Sequence, residues 1–147
     1  MATLTPTLTL ASTDAFANQA INLSVTDSLT IAAPYTDISR MATDDNIGNG
    51  AGIIIAEAGA TSTTFVYIKH TGILASDGTT ACHASNDFIR LSNADGDMDF
   101  MKLQPGEFAF FPLLEFDGSD GGVEAGGLKV EAGSAAVQVE YGYWTRG

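Results

Sequence analysis

The chain has 147 residues, enough for one domain whose fold buries roughly 70% of the surface that the unfolded chain exposes. Its 18 Asp and Glu against 6 Lys and Arg give a formal charge of -12. That balance argues against nucleic acid or an anionic membrane as a partner. Phosphate tracking needs clustered cations, and Arg40, Lys69, Arg90, Lys102, Lys129 and Arg146 are spread along the chain.

The opening stretch "MATLTPTLTLASTDAF" has no positively charged region and no continuous apolar segment, which predicts a chain without a secretory signal that stays in the cytoplasm where it is made. Within it, "TLTPTLTL" alternates and places Leu4, Leu8 and Leu10 together, while Pro6 removes a ladder donor. Residues 1 to 14 are therefore expected as an extended arm or edge strand, ahead of a β domain over residues 15 to 147. In "INLSVTDSLTI", Ile21, Leu23, Val25, Leu29 and Ile31 alternate with polar residues, the period-two pattern of a strand with one buried face and one wet face. Residues 32 to 52 are weakly patterned and predict a loop carrying at most one short turn of helix.

Shorter strands follow in "GIIIAEA", "TTFVYIKH", "DFIRLS", "MDFMKL", "EFAFFPLLEF" and "GLKVEA", and "AAVQVEYGYW" closes the chain with a second strong alternation. Asn49-Gly50, Asp77-Gly78, Asp95-Gly96 and Asp117-Gly118 supply the positive-φ residues of tight turns. Helical periodicity does not persist for more than two turns anywhere. The fold class is all-β: an antiparallel sandwich or jelly-roll-like domain of eight or nine short strands. The most apolar stretches, "AGIIIAEAGA" and "FAFFPLL", are well short of the ~20 residues a membrane helix requires, so no membrane is expected.

In "MKLQPGEFAFFPL", Pro105-Gly106 suits a type II turn leading into a strand. Phe108, Phe110 and Pro112 would face one way and Ala109, Phe111 and Leu113 the other. With both faces apolar, one belongs to the core and the other meets a second layer of the same chain or a neighbouring subunit. Leu4, Leu8 and Leu10 of the arm, with Phe111 and Leu113 of this strand, are the candidate assembly contacts.

No constellation of catalytic groups stands out. His70, Cys82 and His83 lack the paired spacings and the fourth ligand of a structural zinc site, and Cys82, the single cysteine, is expected to be a buried small residue. Asn93, Asp95, Asp97 and Asp99 alternate, and Asp117, Ser119 and Asp120 crowd a glycine turn. Neither run has the glycine and carboxylate positions of a calcium loop. Ser119 and Ser134 lie in turns without a nucleophile elbow, and "GNGAG" at 48 to 52 has neither the third glycine of a dinucleotide fingerprint nor the lysine of a phosphate loop. No metal, cofactor or catalytic residue is expected.

The ordered set "FVYIKHTG", "DFIRL", "MKLQPGEFAFFPL" and "LKVEAGSAAVQVEYGYW" resembles small virion structural proteins of tailed bacteriophages over residues 65 to 144. In that pattern a strand ending in Lys-Asn-Thr or similar precedes L-x-P-G-E-F-x-x-x-P and a closing Ala-Val-x-Val-x-Tyr strand; His70 stands where Asn is more usual. The resemblance implies a non-enzymatic β-sandwich or jelly-roll module that decorates or cements a capsid, or joins parts of a tail. Its partners would be the major capsid protein or other virion proteins, and it would act as a homo-oligomer, with a trimer suited to a local capsid symmetry axis. The alternative is a carbohydrate- or receptor-binding module in which Tyr35, Tyr67 or Trp144 stacks on sugar faces.

Overall fold

The alternation written into the sequence becomes strand almost throughout. The computed structural model describes residues 2–16, 19–35, 37–43, 53–55, 64–93, 98–113 and 128–147. Among these there are twelve strands and no helix, so none is long and apolar enough to cross a membrane. In chain order they are β1 (Ala2–Leu4), β2 (Thr7–Phe16), β3 (Gln19–Thr26), β4 (Leu29–Tyr35), β5 (Ser39–Ala42), β6 (Ile53–Ile55), β7 (Thr64–Leu74), β8 (Ile89–Asn93), β9 (Asp99–Leu103), β10 (Phe108–Leu113), β11 (Leu128–Ala132) and β12 (Val137–Arg146).

The fold is all-β with antiparallel sheets, as expected, but it has more strands than eight or nine. The excess lies in the first third of the chain. "TLTPTLTL" is divided at Pro6 into β1 and β2, and "INLSVTDSLTI" is divided at Asp27-Ser28 into β3 and β4. The stretch expected to be a loop with a helical turn instead carries the end of β4 and all of β5, because Met41 and Thr43 alternate inward beside β12.

A six-stranded sheet runs in the order β1-β4-β12-β7-β10, with β5 also paired to β12, and a four-stranded sheet runs β6-β11-β8-β9. The two sheets enclose one core. Val66 and Ile68 of β7 and Val137 and Val139 of β12 meet Ile89 and Leu91 of β8 and Leu128, Val130 and Ala132 of β11, and all nine are fully buried. At about 1.5–3 kcal/mol for each large aliphatic side chain removed from water, this cluster is the main stabilising term of the body.

β12 is the keystone of the large sheet. One edge pairs with β7 from Val137 to Thr145, and the other pairs first with β5 and then with β4. On β11, Lys129 and Glu131 point away from the core yet are also buried, and their Nζ and Oε1 lie 2.8 Å apart. Period-two reading predicts the apolar face of this strand; it does not predict that its charged face is also out of water.

The turns follow the chemistry of their residues. Glu107 N–H donates to the Gln104 carbonyl at 3.0 Å across Pro105-Gly106, and Gly106 has φ 88°, the expected type II geometry. Asp77 accepts from the N–H groups of Thr79 and Thr80, both at 2.9 Å, and from the Thr80 hydroxyl, with Gly78 at φ 68°. These bonds hold the Asp77 carboxyl down at about 2. Asn49-Gly50, Asp95-Gly96 and Asp117-Gly118 lie outside the described residues.

The remaining two strands form a separate two-stranded sheet, β2-β3. They continue the β1–β4 pairing without a change of register: Leu4 faces Leu29, Thr7 faces Thr26, Leu8 faces Val25 and Ser12 faces Ile21. Between the two segments Asp27 N–H donates to the Pro6 carbonyl at 3.1 Å, while Pro6 has no N–H to return. One long ribbon thus has its base in the large sheet, and among the described residues the strands of its distal part pair only with each other. The boundary expected at residue 14 falls inside β2, whose ladder partner is β3.

Candidate functional site

The candidate site is the face of the large sheet turned away from the core. Alternation brings Phe65 and Tyr67 of β7, Phe108 and Phe110 of β10, and Glu140 and Trp144 of β12 to that face. Phe110 lies opposite Tyr67, and Trp144 lies opposite Phe65. Phe65 and Phe110 stack with ring centroids 6.2 Å apart and planes 5° from parallel. Phe108 is 61% exposed and Phe110 38%, so β10 carries aromatic rings into solvent at the edge of the sheet. Pro112 is tolerated in the strand because β10 is an edge and needs donors on one side only.

A cleft of about 290 Å³ opens on this face between Leu4, Ile38, Tyr67, Phe110 and Trp144, with Pro6 and Glu140 at its margin. Gly142 makes room for it. It lies opposite Tyr67, and a Cβ there would come within 2.8 Å of Ile38 Cδ1 and 3.0 Å of the Trp144 ring. Glu140 is the polar anchor. Its Oε2 accepts from Arg40 Nε and Nη2 at 3.3 and 3.2 Å, and its Oε1 accepts from the Tyr67 hydroxyl at 3.3 Å. Burial, and then the Glu140 charge, push the Tyr67 hydroxyl above its ordinary pKa, so it remains a donor. The arrangement offers aromatic faces with one oriented carboxylate, the chemistry that packs against an apolar side chain or the apolar face of a sugar ring.

The residues singled out in the sequence are distributed as follows. Leu4 lines the cleft, whereas Leu8 and Leu10 stand on the β2-β3 hairpin, each 47% exposed. Phe111 and Leu113 lie on the inward face, packed with the core cluster, so β10 presents Phe108 and Phe110 outward in their place. The parity of the strand separates these two sets; which set faces inward is decided by pairing with β7, where Phe111 falls opposite the buried Val66. Pro105 and Gly106 form the turn expected of them. Tyr67 and Trp144 share the cleft, and Tyr35 is the backbone partner of Trp144 in β4.

His70, Cys82 and His83 do not converge on a metal. Among the described residues, no group of three or more His, Cys, Asp and Glu has the geometry to hold one. His70 is fully buried between two structural bonds: Nε2 donates to the Asp87 carbonyl at 2.6 Å and Nδ1 accepts from Gly72 N–H at 3.1 Å. That pairing fixes a neutral tautomer. Burial lowers the pKa of the ring, against smaller opposing effects from the Asp87 carbonyl and the charges of Asp87 and Glu107. Cys82 is half-buried, and burial followed by the Asp87 charge raises its thiol pKa, which leaves a weak nucleophile. Asp99 pairs with Arg90 at 3.1 Å, while Asp95, Asp97, Asp117, Ser119 and Asp120 lie outside the described residues.

Comparison of the chain with protein-family models, with curated proteins and with solved structures finds no match to any of them.

Proposed function

We propose that this chain is a structural protein of a tailed-bacteriophage particle, seated on the outer capsid surface as a decoration or cement protein, with the major capsid protein as its partner. The observation that carries this reading is a two-sheet body closed on one buried core, with aromatic side chains exposed on the outer face of its large sheet. Phe108, Phe110 and Trp144 crown the large sheet, and a β-ribbon extends beyond it. The segments that resemble virion proteins correspond to β7, β8, β9 with its turn into β10, and β11 with β12, which together make most of the core. The apolar outer face of such a body gains affinity by losing water when a partner covers it.

The test is the protein composition of purified particles by mass spectrometry. The chain should be present at a copy number of the same order as the major capsid protein and should rebind stripped capsids. Its absence from purified particles overturns the proposal.

A second reading, a saccharide-binding module, is favoured by the cleft itself, where Tyr67, Phe110 and Trp144 surround a carboxylate already held by Arg40. Binding to a glycan array that is lost in Trp144→Ala, with the thermal midpoint unchanged, supports it. Failure of the unaltered chain to bind any glycan removes it.

A further inference from the structure

The β2-β3 hairpin has two unlike faces. On one, Thr7 and Thr26 share a hydroxyl bond at 3.0 Å, Thr9 lies opposite Ser24, and Ala11 lies opposite Asn22. On the other, Leu8 lies opposite Val25 and Leu10 opposite Leu23, with Ile21 continuing the row. These cross-strand pairs put aliphatic side chains in contact along the ribbon. Yet Leu8, Leu10, Leu23 and Val25 remain 47%, 47%, 44% and 52% exposed. A two-stranded ribbon is at best marginally stable in water, and a contiguous aliphatic row of this kind is what a partner covers.

Charge identifies the partner. Between Thr7 and Thr26 the single ionisable side chain is Asp14, in a chain whose formal charge is -12. A net charge of -12 makes two copies repel as wholes, and a contact through two hairpins adds little local like charge to that repulsion. Area agrees with charge. Two such rows pressed together bury several hundred Å² of apolar surface. That is below the ~1,000 Å² of a standard specific interface and in the range of a weak, concentration-dependent contact. Face-to-face packing at the ordinary ~10 Å sheet spacing turns two ribbons into a four-stranded miniature sandwich in which every aliphatic side chain of the row is covered.

We propose that the apolar face of the β2-β3 hairpin is a homotypic interface, covered by the same face of a second copy of this chain. The contact is self-complementary and uses a segment with a single ionisable side chain.

Sedimentation velocity of the purified full chain over a range of concentrations tests this. The unaltered chain should run as an oligomer. The double variant Leu10→Ser, Leu23→Ser should raise the concentration needed for assembly by more than about tenfold, with the thermal midpoint of the body unchanged. A second measurement does not depend on the polar variants folding. In a Cys82→Ser background, a short bis-maleimide should cross-link Leu10→Cys between chains but not Thr9→Cys, which lies on the opposite face. A single copy at every concentration, an oligomer that survives the double substitution, or equal cross-linking from both faces overturns the proposal. Because the test uses only the purified chain, failure here leaves the capsid reading standing, and absence from particles leaves this interface standing.

Discussion

The two-sheet body and the β2-β3 hairpin use the same alternation of apolar and polar residues to opposite ends. In β12, Val137 and Val139 are fully shielded because a second sheet lies over them; in β3, Leu23 and Val25 have the same spacing and stand about half exposed. Period two therefore specifies which side chains share a face and says nothing about whether that face is covered. The covering surface comes from residues distant in the chain for the body, and from another molecule for the hairpin if the homotypic contact holds.

The comparison is broken most forcefully inside the body. Lys129→Met leaves Glu131 buried without its nearest cation, 2.8 Å away, and should cost about 3–5 kcal/mol in a denaturant titration. A loss below 1 kcal/mol would mean that this face of β11 is solvated in solution.

An intermediate effect is expected at His70. Burial lowers its folded pKa below the unfolded value of about 6.5, so the unfolded chain binds more protons. The contribution of His70 is complete above about pH 6.5 and is lost as the pH falls towards and through the lowered folded value. His70→Asn should flatten the slope of stability against pH between 7 and 5 while preserving the fold, measured by thermal midpoints across buffers. An unchanged slope would assign the pH sensitivity elsewhere. Asp77 acts in a separate window: its folded pKa of about 2 lies below the ordinary carboxyl value of 3.8, so its contribution is present above about 4 and disappears as the pH falls through 2.

The smallest effect belongs to the hairpin. At a dilution where single copies prevail, Leu8→Ser should shift the unfolding free energy of the body by no more than about 0.5 kcal/mol, because the side chain is nearly half in water already. A shift several times larger would show that the hairpin folds back onto the body and would erase the distinction between the two regions.

Particular residues show what the sequence made legible. Pro105-Gly106 announced its turn because φ at each position is dictated by local chemistry, whereas Pro6 announced a missing ladder donor without showing that the stretch divides there into β1 and β2. The division at Asp27-Ser28 was hidden because Val25 and Leu29 have the same parity on either side of it, so a straight strand and an interrupted ribbon leave the same pattern. Phe111 and Leu113 were candidate contacts because an edge strand apolar on both faces does not reveal which face turns inward; pairing with Val66 decides that. The cleft was invisible as a unit, since Leu4, Tyr67, Phe110 and Trp144 meet only after β1, β7, β10 and β12 have assembled. Tyr67 and Trp144 were readable as aromatic candidates, but Gly142, which makes room between them, carried no signal.

The position of β12 also fixes an order of events during synthesis. It follows every other strand in the chain, yet β4, β5 and β7 all require it as their ladder partner. The large sheet therefore cannot close until the last strand has left the ribosome, whereas β2 and β3 need only each other and can pair as soon as residue 26 emerges. On polysomes translating one message, neighbouring nascent chains would display their hairpins side by side before the large sheet closes, so the homotypic contact, if it holds, is available before the fold of either body.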